Sequence, residues 1–153
     1  MKGHRAFQTA ILDRAVQHIL LRQRPDGAVT NFATGYDGAA DALAAASRLI
    51  AAYAWEGGAH FRDPGMLARA NRALRFALAL QHEDGTIDLL QTNFHDPAET
   101  AFTMHNVAPA HFRLRGMCCG LPHEAETEEL LARYERGALK ALTVGGFHTP
   151  NHR

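Results

Sequence analysis

The chain has 153 residues, 46% of them hydrophobic, and its 16 basic and 16 acidic side chains cancel. That suffices for one domain with a core, and it lacks the basic excess that a general nucleic-acid surface needs to neutralise phosphates. The two cysteines, Cys118 and Cys119, are adjacent, which excludes a disulfide framework and zinc-finger spacing.

The N-terminus starts basic, but Gln8, Asp13 and Arg14 interrupt any apolar stretch of signal-peptide type. No run approaches the roughly 20 apolar residues of a membrane span. The expectation is a cytoplasmic protein with no membrane partner, no nucleic-acid partner and no cofactor.

From about Ala6 to Arg22, Ile11, Ala15, Ile19 and Leu20 recur at helical spacing, and Pro25-Asp26-Gly27 ends the helix. From about Asp37 to Trp55 alanine dominates, with Ala40, Leu43, Ala44, Ser47, Ile50, Ala51 and Ala54 on one broad face. Such small residues suit an inner helix approached closely by its neighbours; Gly57-Gly58 stops it. Asp63-Pro64 reads as an N-cap with proline behind it, opening a helix to about Leu80 that buries Leu67, Ala70, Leu74 and Ala77 or Leu78. Asp96-Pro97 repeats that start for a helix from Ala98 to about Leu114, which Pro109 should kink or shorten. A fifth helix, about His123 to Leu142, gathers Glu124, Glu126, Glu128 and Glu129 near its N-terminus, where the helix dipole favours them. No convincing strand emerges.

One loop occurs twice. Gln23-Arg24-Pro25-Asp26-Gly27 runs to Thr30-Asn31-Phe32, and 58 residues later Gln81-His82-Glu83-Asp84-Gly85 runs, after a four-residue insertion, to Thr92-Asn93-Phe94. A third passage from helix to loop closes the chain from Gly145 to Arg153. The spacing suits helical hairpins with long loops, and stacked hairpins bring all three loops to one end. The fold expected is all-α: antiparallel helical hairpins forming part of an (α/α) toroid. Residues 1–153 make one domain. Its odd helix count leaves a hairpin open, so a piece of a larger toroid is expected, with an open apolar face for self-association.

Hairpins joined by Q-x-x-D-G loops resemble the α/α toroids of polysaccharide lyases, some glycoside hydrolases and terpenoid cyclases. The closing His148-Thr149-Pro150-Asn151-His152-Arg153 is most similar to the Asn-His region of heparinase II/III-like and alginate-lyase-like proteins. That resemblance implies β-elimination on an acidic polysaccharide or oligosaccharide. Asn151 would neutralise the uronate carboxylate, and His152 would act as base or second carboxylate contact. The family's catalytic tyrosine and its later β-domain have no counterpart in these residues, so this chain alone is expected to be inactive.

Substrate contacts are expected from Arg153, His148, His95, Asn93, Asn31 and Tyr36. The asparagines would meet sugar hydroxyls, with Phe32 and Phe94 as stacking faces, or else hold a turn beside a buried phenylalanine. Asp26 and Asp84 are explained by turn chemistry alone. Metal binding finds little support: His105 and His111 fall on different helix faces, His148 and His152 straddle Pro150, and no third ligand accompanies them. Two rival readings remain. One is an inverting glycoside hydrolase drawing a carboxylate pair from Asp26, Asp84, Asp88 and Asp96. The other is a non-catalytic helical repeat that binds through its loops.

Overall fold

A computed structural model describes residues 2–117 and 120–144. Five helices carry the fold: α1 (Lys2–Arg22), α2 (Ala39–Ala54), α3 (Pro64–Leu80), α4 (Pro97–Arg115) and α5 (Pro122–Val144). Between α3 and α4 lies a small antiparallel hairpin, β1 (Ile87–Leu89) with β2 (Asn93–Asp96). The expectation of no strand is therefore corrected. Strands of three and four residues are too short for apolar alternation to announce them.

The helix starts follow from their caps. Asp63 accepts from the Gly65 amide at 2.8 Å and Asp96 from the Glu99 amide at 2.9 Å, each with proline next in line. Pro109 does not shorten α4, which runs on to Arg115. Helix α2 is buried nearly all round: Ala42, Leu43, Ala46, Leu49, Ile50 and Tyr53 are fully enclosed. It packs on α1, α3 and α4, while α5 packs on α3 and α4. The result is two layers, with α2 beside α4 in one and α3 beside α5 in the other. Small side chains make this approach possible, because alanine allows close axis separation at no cost in side-chain entropy.

The core joins Leu43, Leu49, Ile50, Leu67, Leu74, Leu114, Leu131 and Tyr134 with Ile87 of the hairpin. Helix α1 is a flank: Val16 and Ile19 reach the core, whereas Ile11, expected inside, is exposed together with Phe7 and Leu21. Exposed apolar groups also line α4 (Phe102, Phe112) and the end of α5 (Leu139, Leu142, Val144). Among the described residues no helix is long and apolar enough to cross a membrane.

The duplicated loop does the same structural work twice. In each copy the Asp takes an amide two residues on: Ala28 to Asp26 at 3.1 Å, Thr86 to Asp84 at 2.9 Å. In each, the Gln reaches over to the next helix of the outer layer, Gln23 to the Arg69 carbonyl at 2.9 Å and Gln81 to the Tyr134 carbonyl at 3.2 Å. The motif thus fastens the end of α1 to α3 and the end of α3 to α5. That fastening sets the loops side by side.

Candidate functional site

The two described loops meet at the N-termini of α2 and α4. There they enclose a cleft of about 180 Å3, in which Asn31, Tyr36, Asp41, Asp88, Gln91 and Glu99 stand beside Leu89 and Leu90. This is smaller than the ~300–1,000 Å3 of sites that enclose drug-sized ligands. Its size suits a single small ring.

Each polar group is positioned from its own backbone. Asn31 accepts from the Ala33 and Thr34 amides on its oxygen and donates from Nδ2 to Asp41 Oδ1 at 2.9 Å. Asp37, just ahead of α2, accepts from the Thr30 hydroxyl at 2.6 Å and pairs with Arg24, which also pairs with Asp26. Asp41 and Glu99 lie in the first turns of α2 and α4. Both are half-buried, and both are held above the ordinary carboxylate range. Burial is the main cause for each. For Asp41 the Asn31 amide and Arg48 oppose it while Asp37 adds to it. For Glu99 the negative charges of Asp96 and Asp41 add to it. The helix dipole favours ionised acids at such positions, yet desolvation outweighs it here. The cleft therefore holds two carboxyls that take a proton more readily than free ones, beside Asp88.

Asp88 enters from β1. Its Oδ1 accepts from the His95 amide at 2.7 Å and lies 2.7 Å from His82 Nε2. His95 Nδ1 lies 2.8 Å from Asp84. Burial raises the cost of charging Asp84, but hydrogen bonds from the Thr86 hydroxyl and amide and from His95 hold it down at about 2.

The expected site residues divide as follows. Asn31 and Tyr36 line the cleft, with Tyr36 half exposed. His95 is not among the cleft-lining residues, but its amide grips Asp88. Asn93 points inward, donating to Asp96 Oδ2 at 2.8 Å. The alternative of a buried phenylalanine beside each asparagine is corrected: Phe32 is 77% exposed and Phe94 70%. The pinned asparagines turn the following ring outward, and the Arg22 guanidinium lies 3.7 Å from the centre of the Phe32 ring. His148, Asn151, His152 and Arg153 lie outside the described residues, as do Cys118 and Cys119.

Of the four loop aspartates, three are engaged elsewhere: Asp26 with its turn and Arg24, Asp84 with its turn and His95, Asp96 with its cap and Asn93. Only Asp88 of these lines the cleft. The sequence reading missed Asp41 and Glu99, which look like ordinary first-turn acids until the two helix ends are brought together. His105 is exposed, and buried His111 is 2.8 Å from Glu135, so neither belongs to the site. Among the described residues no group of three or more His, Cys, Asp or Glu side chains is placed to hold a metal ion.

A wider groove of about 1000 Å3 opens at the opposite end, between the start of α1 and Trp55, Glu56 and Arg113. Its polar groups serve packing: Trp55 donates to Thr9 at 2.8 Å and Arg5 to the Glu56 carbonyl at 2.7 Å. Compared with protein-family models, with curated proteins and with solved structures, the chain matches none.

Proposed function

We propose that the loop end is a saccharide-binding cleft and that the chain is the hairpin portion of a carbohydrate-active protein. The observation that carries this reading is the convergence of Asp41, Glu99, Asp88 and Asn31 on one small cleft with Tyr36 exposed at its edge. Sugar hydroxyls both donate and accept, and carboxylates with a primary amide answer both needs. A half-exposed tyrosine adds a flat apolar face for a ring. The alternation of α2 and α4 in one layer with α3 and α5 in the other is also the unit an α/α toroid repeats. Closure into a toroid belongs to the proposal.

The chemistry follows two routes. In hydrolysis, a carboxyl whose pKa is raised by burial, Asp41 or Glu99, would protonate the leaving oxygen, and a second carboxylate, Asp88, would act as base on a water or as nucleophile. In β-elimination, the reading that the closing motif supports, Asn151 would neutralise a uronate carboxylate and His152 would take the neighbouring proton. The acidic lining repels a uronate placed directly against Asp41, Asp88 and Glu99. An eliminating enzyme would have to meet that carboxylate at Asn151, His152 and Arg153 and leave the cleft to an uncharged ring.

The test is binding followed by turnover, on the longest native reading frame. Wild type, Asp41→Asn with Glu99→Gln, and Asn151→Ala are screened against neutral and acidic oligosaccharides. Binding that the double variant loses, with new reducing ends, supports hydrolysis. Ultraviolet absorbance of an unsaturated uronate, abolished by Asn151→Ala, supports elimination. A folded wild-type protein that binds no sugar of either class sinks the proposal.

A further inference from the structure

Two imidazoles stand behind the cleft. The rings of His82 and His95 are stacked, centroids 3.7 Å apart and planes 19° from parallel. Each is tied at its outer edge to a different carboxylate, His82 Nε2 to Asp88 at 2.7 Å and His95 Nδ1 to Asp84 at 2.8 Å. Asp84 is itself fixed by the Thr86 amide and hydroxyl at 2.9 and 2.6 Å. His95 adopts φ +51°, a left-handed conformation that non-glycine residues seldom take. That backbone turn directs both its amide and its ring at the Asp88–His82 side of the hairpin. Among the described residues, every hydrogen bond to Asp88 falls on Oδ1, and Oδ2 receives none.

The first loop shows what this arrangement replaces. At the place of His82 it carries Arg24, whose one guanidinium pairs with both the turn Asp26 and Asp37. In the second loop the turn Asp84 is linked instead to the cleft Asp88, through two stacked rings. One guanidinium is thus exchanged for two stacked imidazoles. For holding a turn together the arginine suffices.

We infer that His82 and His95 are positioning residues for the cleft: their stacked rings lock Asp88 by one oxygen and leave the other for a ligand hydroxyl. The inference rests on the saccharide reading for the identity of that hydroxyl, and on the hairpin geometry alone for the orientation of Asp88. Charged groups on the same segment are Asp84, Asp88 and Glu83; Asp41 on α2 and Glu99 on α4 share the cleft with Asp88, and Lys140 on α5 bonds the Glu83 carbonyl at 2.8 Å. Acids dominate this set.

The deciding experiment follows the Asp88 carboxyl carbon and the imidazole nitrogens by NMR in the whole chain from pH 4 to 8. Wild type, His82→Gln, His82→Ala and His95→Ala are compared. In wild type the Asp88 carbon shows a step at the pH where the His82 nitrogens titrate. His82→Gln, which keeps a donor near Nε2, removes the step but preserves the carbon shift; His82→Ala loses both. His95→Ala displaces the His82 titration. An Asp88 carbon blind to His82, or a His82 titration untouched by His95→Ala in a folded chain, overturns the inference. The same samples are then titrated with cellotriose, maltotriose and chitotriose. Affinity for a trisaccharide that falls at least fivefold in His82→Ala and recovers in His82→Gln supports the positioning role. If no trisaccharide binds while the Asp88 carbon still follows His82, the saccharide reading fails and the orientation of Asp88 stands.

Discussion

Asn31 holds Asp41 by its side-chain amide at 2.9 Å, and that one bond joins the first loop to the first turn of α2. The second hairpin repeats it: Asn93 holds Asp96, at the start of α4, at 2.8 Å. Both asparagines sit in the T-N-F phrase, so the phrase places an amide on the acid that opens the following helix and turns a phenylalanine outward. Because the Asn31 amide opposes the burial that raises Asp41, Asn31→Ala is expected to raise Asp41 further. Carboxyl-carbon NMR across pH 3–7 checks this. The loss of one charge-assisted hydrogen bond should cost roughly 1–3 kcal/mol of stability at neutral pH.

Asp41 and Glu99 should act against folding at neutral pH. Their folded-state pKa values lie above the ordinary ones, so between the unfolded and folded values the folded chain holds more protons than the unfolded chain. Stability then falls as pH rises through that window, and the penalty is full above it and absent below the ordinary carboxylate range. Asp41→Asn and Glu99→Gln are therefore expected to raise Tm by about 1–3 °C at pH 7 and leave it unchanged near pH 3. The same variants should lose saccharide binding. Gains in stability coupled to loss of binding would mark these acids as retained for function; a fall in Tm at pH 7 would remove that argument.

Asp84 behaves in the opposite sense. Its folded pKa of about 2 lies below the ordinary value of 3.8, so its contribution is present above pH 4 and is lost as pH falls through about 2. His95→Ala should return Asp84 part of the way upward, since the imidazole supplies part of the depression. Urea midpoints at pH 2, 3 and 5 for wild type and Asp84→Asn should differ at pH 5 and converge at pH 2. Asp84 is half exposed, so the difference will be small.

Much of this was legible from residue order. Asp63-Pro64 and Asp96-Pro97 announce helix starts because a capping carboxylate and a proline satisfy the same geometric need, and the repeated Q-x-x-D-G correctly reports two equivalent loops. What periodicity cannot report is partnership across distance. Asp41 and Glu99 are 58 positions apart and meet only because α2 and α4 lie side by side. His82 and His95 stack because a strand pair too short to alternate folds the chain back between them. The outward turn of Ile11 has a similar origin: helical spacing names a face, which Ile19 keeps, but only packing decides that Val16 turns inward and Ile11 does not.

The two motif glycines supply the last prediction, because they test the duplicated loop itself. Gly27 has φ +98° and Gly85 φ +89°, both in the left-handed region that a side chain disfavours. A β-carbon on Gly27 would also overlap the Arg72 carbonyl of α3, and one on Gly85 the Gly137 carbonyl of α5. Those carbonyls lie one helical turn beyond the ones that Gln23 and Gln81 grip. Loop and helix therefore touch backbone to backbone, and nothing flexible can yield. Gly27→Ala and Gly85→Ala should each cost at least about 2 kcal/mol, from backbone strain and from the separation of each loop from the helix it touches. Gly35 supplies the control. It also has a positive φ, but nothing lies within 4 Å of an added β-carbon. Gly35→Ala should therefore show the conformational penalty alone, about 1 kcal/mol. Equal losses at Gly27, Gly35 and Gly85 in urea unfolding would mean that close approach to α3 and α5 contributes nothing beyond the turn.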